Sequence, residues 1–504
     1  MSILDRKVFL KNMPVNRLLL AVNIIMALVY FFVLAFWFER GNPYLYWFLV
    51  LGEIYHVWQI VMYCYTVWPR ERRVFYDLDY KPGVDVFITV VSEPLDILEK
   101  AIRAAKNMDY ENFQVHVLND GYVANKDNWR EIEAVARRLE VNCITRKVAG
   151  GAKAGNINNA LNNTVNPFIA VFDVDHVPKK SFLSKTVGYF SDPRMGFVQT
   201  PQFYKNQNLN QVTQGAWEQQ ELFFGAICGG KNDMNCAFMC GTNMVIRREA
   251  IKEAGGMSES ITEDFLTSQR IHEKGWHSMY VEEVLAEGLA PEDMLSYYKQ
   301  QFRWARGSLE IIFKDNPLFR KGLTWNQKTQ YIASAGYYLS GFIVLVNALF
   351  PLIFFYTGAV PFKISTMALA TAFIPYIFLT VLNLKISSNY TFTFRAVAFS
   401  MSSFLIHTKA LLDIIFGRKS GFTVTPKRGT SGNFLYLVYP HLFYIALTFI
   451  GLGIAISREG FTASLMSNLS WAIFNIAVFI PFITAALPAK AFNLNYKPKY
   501  ADAS

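Results

Sequence analysis

Two parts of the chain are too apolar to remain in water, and the stretch between them is not. Residues 18–38 and 44–68 are each dominated by apolar side chains, and after residue 315 come four more such runs, at 328–356, 364–384, 435–456 and 469–487. Roughly 20 such residues suffice to cross a bilayer as a helix. A helix also satisfies its own backbone where lipid cannot, so these runs predict a helical bundle of six spans. The 52% hydrophobic content is therefore an average over two unlike parts, because residues 74–315 read as a soluble domain. The first run is too long for a removable signal and has no small-residue cleavage site after it.

Charge sets the orientation. Arg6, Lys7 and Lys11 precede the first run, Arg70, Arg72 and Arg73 follow the second, and Lys490, Lys497 and Lys499 follow the last. Basic flanks stay on the cytoplasmic side. Six spans then predict both termini and the soluble domain in the cytoplasm, in a multi-pass protein of the plasma membrane. The net charge of +10 fits that placement. No basic stripe with interleaved aromatics is present, so nucleic acid is not an expected partner. Five cysteines with no C-x-x-C spacing point to reduced thiols rather than a disulfide or zinc framework.

Residues 391–417 are apolar but carry Arg395, His407, Lys409 and Asp413, the pattern of an amphipathic helix lying in the interface. The expected divisions are a helical hairpin at 1–73, the soluble domain at 74–315 and helices three and four at 316–390. An interface helix and polar loop at 391–432 follow, then helices five and six with a tail at 433–504. Glu53, His56 and Gln59 fall inside the second run; they are candidates for lining a polar path, with hydrogen-bonded packing as the plainer account.

Within 74–315 the periodicity predicts strands at 84–91, 113–118 and 168–172 and helices at 97–107 and 128–139. That alternation predicts an open, mostly parallel α/β sheet, in which ligands bind beyond the carboxyl ends of the strands. Acids at those ends become informative. Asn119-Asp120-Gly121 follows the second strand; by itself it also reads as an Asp-Gly turn. Asp173-Val174-Asp175-His176 follows the third, and in extended backbone the two Asp face the same side. Their repulsion is relieved if a magnesium or manganese ion joins them to a diphosphate; two solvated acids are the alternative. Ile261-Thr262-Glu263-Asp264 opens a helical pattern, with Thr262 as an N-cap candidate and Asp264 as a possible general base.

Further on, Gln300, Arg303 and Trp304 lie three and four residues apart on one predicted helix face. An amide, a guanidinium fork and an indole together suit phosphate and the apolar face of a sugar. The loop Gly150-Gly151-Ala152-Lys153 suits an anion, and Phe422 to Lys427 mixes an aromatic, two hydroxyls and a cation.

The order Asp-Gly, Lys-Ala-Gly-Asn, Asp-x-Asp-His, Thr-Glu-Asp, Gln-x-x-Arg-Trp, placed between membrane runs, resembles the processive family-2 glycosyltransferases, in particular bacterial cellulose synthase catalytic subunits and (1,3;1,4)-β-glucan synthases. Val198-Gln199-Thr200-Pro201, Cys240-Gly241-Thr242 and the Phe-x-Val-Thr-x-Lys loop belong to the same resemblance. It implies a GT-A-like cytosolic domain on a helical bundle. The implied reaction polymerises UDP-glucose into a linear β-glucan, with Mg2+ or Mn2+ as cofactor, and passes the growing chain across the bilayer.

Residue by residue, the resemblance implies that Asp120 holds uracil and that Lys153 and Asp173 contact the nucleotide. Asp175, with Asp173 and His176, would hold the metal. Asp264 would deprotonate the acceptor, and Arg303 would meet the diphosphate. Glu93, Gln300, Phe422, Thr425 and Lys427 complete the UDP-sugar set. Trp304, Cys240, Gly241, Thr242, Glu263, Gln202 and Phe224 form the acceptor set. Three departures stand out. Gln202 replaces a His, Phe224 replaces a Tyr, and no cyclic-di-GMP-binding module is expected after the last span. The first two leave linkage open between β-1,4 and mixed β-1,3/β-1,4.

Two other readings compete: a hyaluronan- or chitin-type polymer synthase, and a transporter whose soluble domain is regulatory. The apolar runs lack the paired, Gly- or Pro-broken short segments of transporters. The topology has its own test. Externally added thiol reagent is expected to label a cysteine placed at Gly41 or Gly460 and to miss one at Asn128; the reverse pattern would invert the assignment.

Overall fold

A computed structural model describes residues 15–363, 366–388, 391–418 and 432–487. Helices α1 (Arg17–Phe32) and α2 (Pro43–Thr66) form the first hairpin. Asn16 and Asn42 cap them by accepting hydrogen bonds from backbone N–H groups of the first turn.

The soluble domain then builds a seven-stranded sheet. Its elements in chain order are β1 (Val84–Val90), α3 (Leu95–Lys106), β2 (Phe113–Asn119), α4 (Trp129–Arg138), β3 (Asn142–Thr145), α5 (Ala152–Asn162), β4 (Phe168–Asp173), β5 (Met195–Gln199), α6 (Gln211–Leu222), β6 (Met244–Arg247), α7 (Glu263–Glu273) and β7 (His277–Tyr280). The strand order is β7-β5-β6-β4-β1-β2-β3. All neighbouring pairs are parallel except those made by β6, which runs antiparallel to both β4 and β5. The three strands and two helices expected from periodicity are present. Their continuous apolar runs reflect a sheet covered on both faces, as every residue of β1 is buried. Register aligns the strand ends: Thr89 pairs with Asp173, Val90 with Asn119, and Asn119 with Thr145. Asp120, Arg146 and Asp173 therefore emerge at one edge of the sheet.

Beneath the sheet, Asp85 on β1 is 1% exposed and gathers four donors. Arg248 Nη2 lies at 2.7 Å, Asn166 Nδ2 at 2.8 Å, Asn166 N at 3.0 Å and His116 Nε2 at 3.1 Å.

Helix α8 (Met294–Lys314) runs from the domain to the membrane bundle. The bundle comprises α9 (Trp325–Gly336), α10 (Ser340–Thr357), α11 (Thr366–Ser387), α12 (Phe394–Ser402), α13 (Phe404–Ile415), α14 (Tyr439–Glu459) and α15 (Ala463–Ala485). Among the described residues, seven helical stretches are long and apolar enough to cross a membrane. They are the six expected runs plus Phe394–Ile415, whose charges predict an interface helix. That stretch differs from the others: 61% of its apolar window is buried, against 28–33% for the remaining six. It is also broken into α12 and α13 at Ser403. All five cysteines are free thiols.

Replacing Asp85 with Ala would leave the Arg248 guanidinium buried without its counter-charge, at a cost of about 3–5 kcal/mol. The detergent-solubilised variant is expected to melt several degrees below wild type. An unchanged melting temperature would show that the cluster adds nothing to stability.

Candidate functional site

The strand ends and the first turns of α5 and α7 enclose a cavity of about 370 Å³. Glu93, Asp120, Lys153, Asp173, Asp175 and His176 line it from the sheet side. Gln300, Arg303 and Trp304 close it from α8, so the helix-face spacing read from sequence does bring these three to one place. Gln202, Cys240, Gly241, Glu263 and Asp264 complete it among the expected residues.

A second cavity, about 330 Å³, lies between the domain and the membrane helices. It is lined by Phe224 and Phe238 on the domain side and by Gln59, Tyr63 and Tyr337 on the membrane side. Of the three polar residues singled out in the second run, only Gln59 reaches it; Glu53 is buried beside His56, with 3.6 Å between Oε2 and Nδ1. Thr262, Asp264, Gln202, Cys240 and Trp304 line both cavities. These five side chains form one shared wall.

Lys153 organises the acids at that wall. Its Nζ donates to Asp173 Oδ1 and, at 2.6 Å, to the Gly241 carbonyl. Burial alone would lower the ammonium, but the carboxylates of Asp173, Glu263 and Asp264 outweigh it and hold the group above its ordinary value. Gly241 has φ +83°, and a Cβ there would stand 3.2 Å from Asp264 Oδ2 in a backbone conformation that side chains disfavour. Gly307 solves a similar problem on α8: a Cβ would meet Thr262 Cγ2 at 2.5 Å, so α8 lies close against the start of α7.

Thr262 occupies the N-cap position of α7, yet its hydroxyl caps nothing. Asp264 Oδ1 accepts from the Phe265 N–H at 2.7 Å. Burial, reinforced by the Glu263 charge, pushes the Asp264 carboxyl up to about 7, with Lys153 and Arg303 opposing the rise. Burial also raises Glu263, against the pull of Lys153. The far end of α7 is anchored by His272, which bonds Tyr331 Oη on α9 at 2.8 Å and Ser278 Oγ on β7 at 2.9 Å.

Some placements differ from the expectation. Thr242 lines neither cavity; its Oγ1 accepts from the Asp173 N–H at 2.9 Å and donates to Asn243 Oδ1 at 3.1 Å, so it orients Asp173. His176 Nδ1 lies 3.2 Å from Asn243 Oδ1 and its ring packs on Gly288. Among the described residues no three His, Cys, Asp or Glu side chains converge as metal ligands. Asp173, Asp175 and His176 line the same cavity, and the two carboxylates are hard oxygen groups of the kind that suits a divalent cation sharing a diphosphate. Phe422, Thr425 and Lys427 lie outside the described residues.

Sequence reasoning missed Arg146. Its Nε and Nη2 each lie 2.7 Å from an oxygen of Asp120, a bidentate pair buried on both sides. The same guanidinium donates to the carbonyls of Gly150 and, at 3.2 Å, Ala152. It ties the Gly-rich loop to the Asp-Gly turn. The only available signal was a lone Arg after a four-residue, half-exposed strand. Gln199, within the Val-Gln-Thr-Pro motif, donates its Nε2–H to Thr242 O at 2.8 Å and accepts at Oε1 from Cys240 N at 2.8 Å, which fixes the Cys240-Gly241-Thr242 turn.

The glycosyltransferase like family 2 model matches residues 82–307, and the cellulose synthase model matches residues 251–484. The chain is 33% identical over 465 residues to the cellulose synthase catalytic subunit (UDP-forming) of Pseudomonas fluorescens (strain SBW25), covering 88% of this chain and 62% of that protein. To cellulose synthase 1 of Komagataeibacter xylinus it is 29% identical over 460 residues, covering 86% of this chain and 29% of that protein. It thus spans less than two thirds of these relatives' length. A mannosyltransferase from Pyrobaculum calidifontis, solved with GDP-Man and Mn2+, superposes with a TM-score of 0.51 at 15% identity, over 74% of this chain and 99% of that one, a likeness of fold. Two family models, glycosyltransferase like family 2 and cellulose synthase, thus match overlapping parts of the chain, which is GT-A-like in fold and similar over most of its length to bacterial cellulose synthase catalytic subunits.

Proposed function

We propose that this protein is a processive, inverting glycosyltransferase that polymerises glucose from UDP-glucose into a linear β-glucan and translocates the chain across the plasma membrane. The observation that carries this reading is the shared wall: Asp264 and Trp304 face both an acid-lined cavity at the sheet edge and an amide- and ring-lined cavity reaching the membrane helices. The donor occupies the first cavity, with its base near the Arg146–Asp120 pair and its diphosphate near Lys153 and Arg303. The acceptor end of the glucan occupies the second, against Trp304.

Asp264, ionised, takes the proton from the acceptor hydroxyl as that oxygen bonds the anomeric carbon. The bond from that carbon to UDP breaks, and its electron pair leaves with the diphosphate. Attack opposite the leaving group inverts the centre. Arg303 and Lys153 are placed to meet the charge that develops on UDP. Asp173 and Asp175 would hold Mg2+ or Mn2+, which when bound neutralises diphosphate charge. A cytoplasmic supply of UDP-sugar and the basic flanks support a cytoplasmic domain in a plasma-membrane protein, with both termini on that same side when the enclosed stretch Phe394–Ile415 does not cross the bilayer.

Linkage follows from the acceptor side. The Gln202 amide donates to Cys240 O at 2.5 Å, so that side chain is committed to the turn. Phe224 offers a ring with no hydroxyl. Few polar contacts then separate a pose presenting the 4-hydroxyl from one presenting the 3-hydroxyl. A difference of about 1 kcal/mol already gives a mixed product, since about 1.4 kcal/mol is a factor of ten. Pure β-1,4 glucan and mixed β-1,3/β-1,4 glucan are the two products in view.

Purified protein given UDP-glucose is expected to release UDP and make a glucan. EDTA should stop this and Mg2+ or Mn2+ restore it. Lichenase-released oligosaccharides would establish mixed links, and digestion by cellulase alone would establish β-1,4 links. Absence of UDP release, or incorporation of N-acetylglucosamine or glucuronate in place of glucose, refutes the reading.

The pH dependence should follow the base. An acid with a raised pKa is protonated at low pH, so turnover is expected to fall as pH drops through about 7. Asp264→Asn should lose about 10²–10⁴-fold in turnover while still binding UDP. Near-wild-type turnover in that variant would remove Asp264 from the role.

A further inference from the structure

We infer that Gln330, held by Lys231 and Thr66, and Gln220 form a hydroxyl-binding grip on the membrane side of the shared wall, which retains the sugar chain between additions. This rests on the synthase reading above and names residues that the motifs did not. All four side chains line the membrane-side cavity. Each is more than nine-tenths buried, with exposures of 1% for Gln330, 2% for Lys231, 4% for Thr66 and 6% for Gln220.

The amide of Gln330 can face only one way. Lys231 Nζ donates to its Oε1 at 2.8 Å and to its backbone carbonyl at 3.0 Å, while Thr66 Oγ1 lies 3.0 Å from Oε1 and 2.7 Å from the Met62 carbonyl, its one proton serving either acceptor. An ammonium has donors only, so the amide oxygen must turn toward it and the NH2 must turn away. That Nε2 finds no hydrogen-bond partner among the described residues, and neither does Gln220 Oε1. A buried polar atom left unpaired is costly, which favours a ligand that supplies its complement. Gln330 donates, and the Gln220 amide, which no partner among the described residues orients, can turn its oxygen to accept. A hydroxyl does both, so a chain of neutral sugar hydroxyls satisfies the pair, while Phe238 and Tyr63 on the same cavity offer ring faces to the sugar.

The site lies apart from the nucleotide cavity, where neither glutamine appears. Its loss should therefore change chain retention and leave donor binding alone. Gln330→Glu is the informative substitution: it keeps an oxygen for Lys231 and Thr66, gives the ammonium a counter-charge, and removes only the N–H donors.

The experiment uses full-length protein in lipid nanodiscs. Cellotetraose affinity, product length and KM for UDP-glucose are measured for wild type, Gln330→Glu and Gln220→Met. The expected result is cellotetraose binding weakened ~10-fold, the scale of one buried hydrogen bond, with shorter product. KM for UDP-glucose should stay within about twofold, and Gln330→Glu should melt no lower than wild type. Wild-type product length with unchanged cellotetraose affinity in both variants overturns the grip. If the wild-type protein releases no UDP but its cellotetraose affinity still drops in Gln330→Glu, the synthase reading fails and the grip stands.

Discussion

One ammonium holds the acids of the sheet-edge cavity in place. Lys153 touches Asp173, the end of β4, and the Gly241 carbonyl, while the charges of Glu263 and Asp264 at the start of α7 act on it from the other side. Four negative or partly negative groups from three separate elements could not otherwise stand so close in a buried place. The Lys also explains why the Gly-rich loop matters. The loop starts α5 in the position that aims Lys153, and Arg146 fixes it there through its carbonyls.

Around that centre the parts have different degrees of freedom. Asp173 is oriented by Thr242, and Asp120 by Arg146. Both tethers are on the protein side of the cavity, so the acids are pre-positioned before any ligand arrives. Helix α8 contributes Gln300 and Arg303 to one cavity and Gln301 to the other, with Trp304 between. Its close approach through Gly307 makes the start of α7 and the middle of α8 a single packed unit.

The legible features were those with a period or a cluster. Buried strands announced themselves as apolar runs, and Gln300, Arg303 and Trp304 share a face because helical spacing requires it. Acids at strand ends were legible because the sheet rule gives their position a meaning. Arg146 was not, since β3 is short and partly exposed and leaves little pattern. The Cys-Gly-Thr motif predicts Thr242 on the acceptor, but backbone direction at a positive-φ turn decides where a side chain points, and here it points at the Asp173 N–H. The pairing of Gln330 with Lys231 joins residues 99 apart in sequence, a contact that no local pattern encodes. The stretch Phe394–Ile415 carries charges that read as interfacial, yet it is the most enclosed of the seven apolar helices.

His272 gives the site a mechanical property. It clamps α7 between a sheet strand and a membrane helix, and burial, with Arg72 and His277 adding to it, depresses its imidazole to about 3. At any pH where Asp264 changes charge, this brace stays neutral and its two hydrogen bonds stay in register. The helix that carries Asp264, the proposed base, is thus braced by a group that does not titrate where Asp264 does. A sideways push on α9 from the bilayer would reach Asp264 as a rigid-body tilt of one short helix, without passing through any group that protonation could loosen.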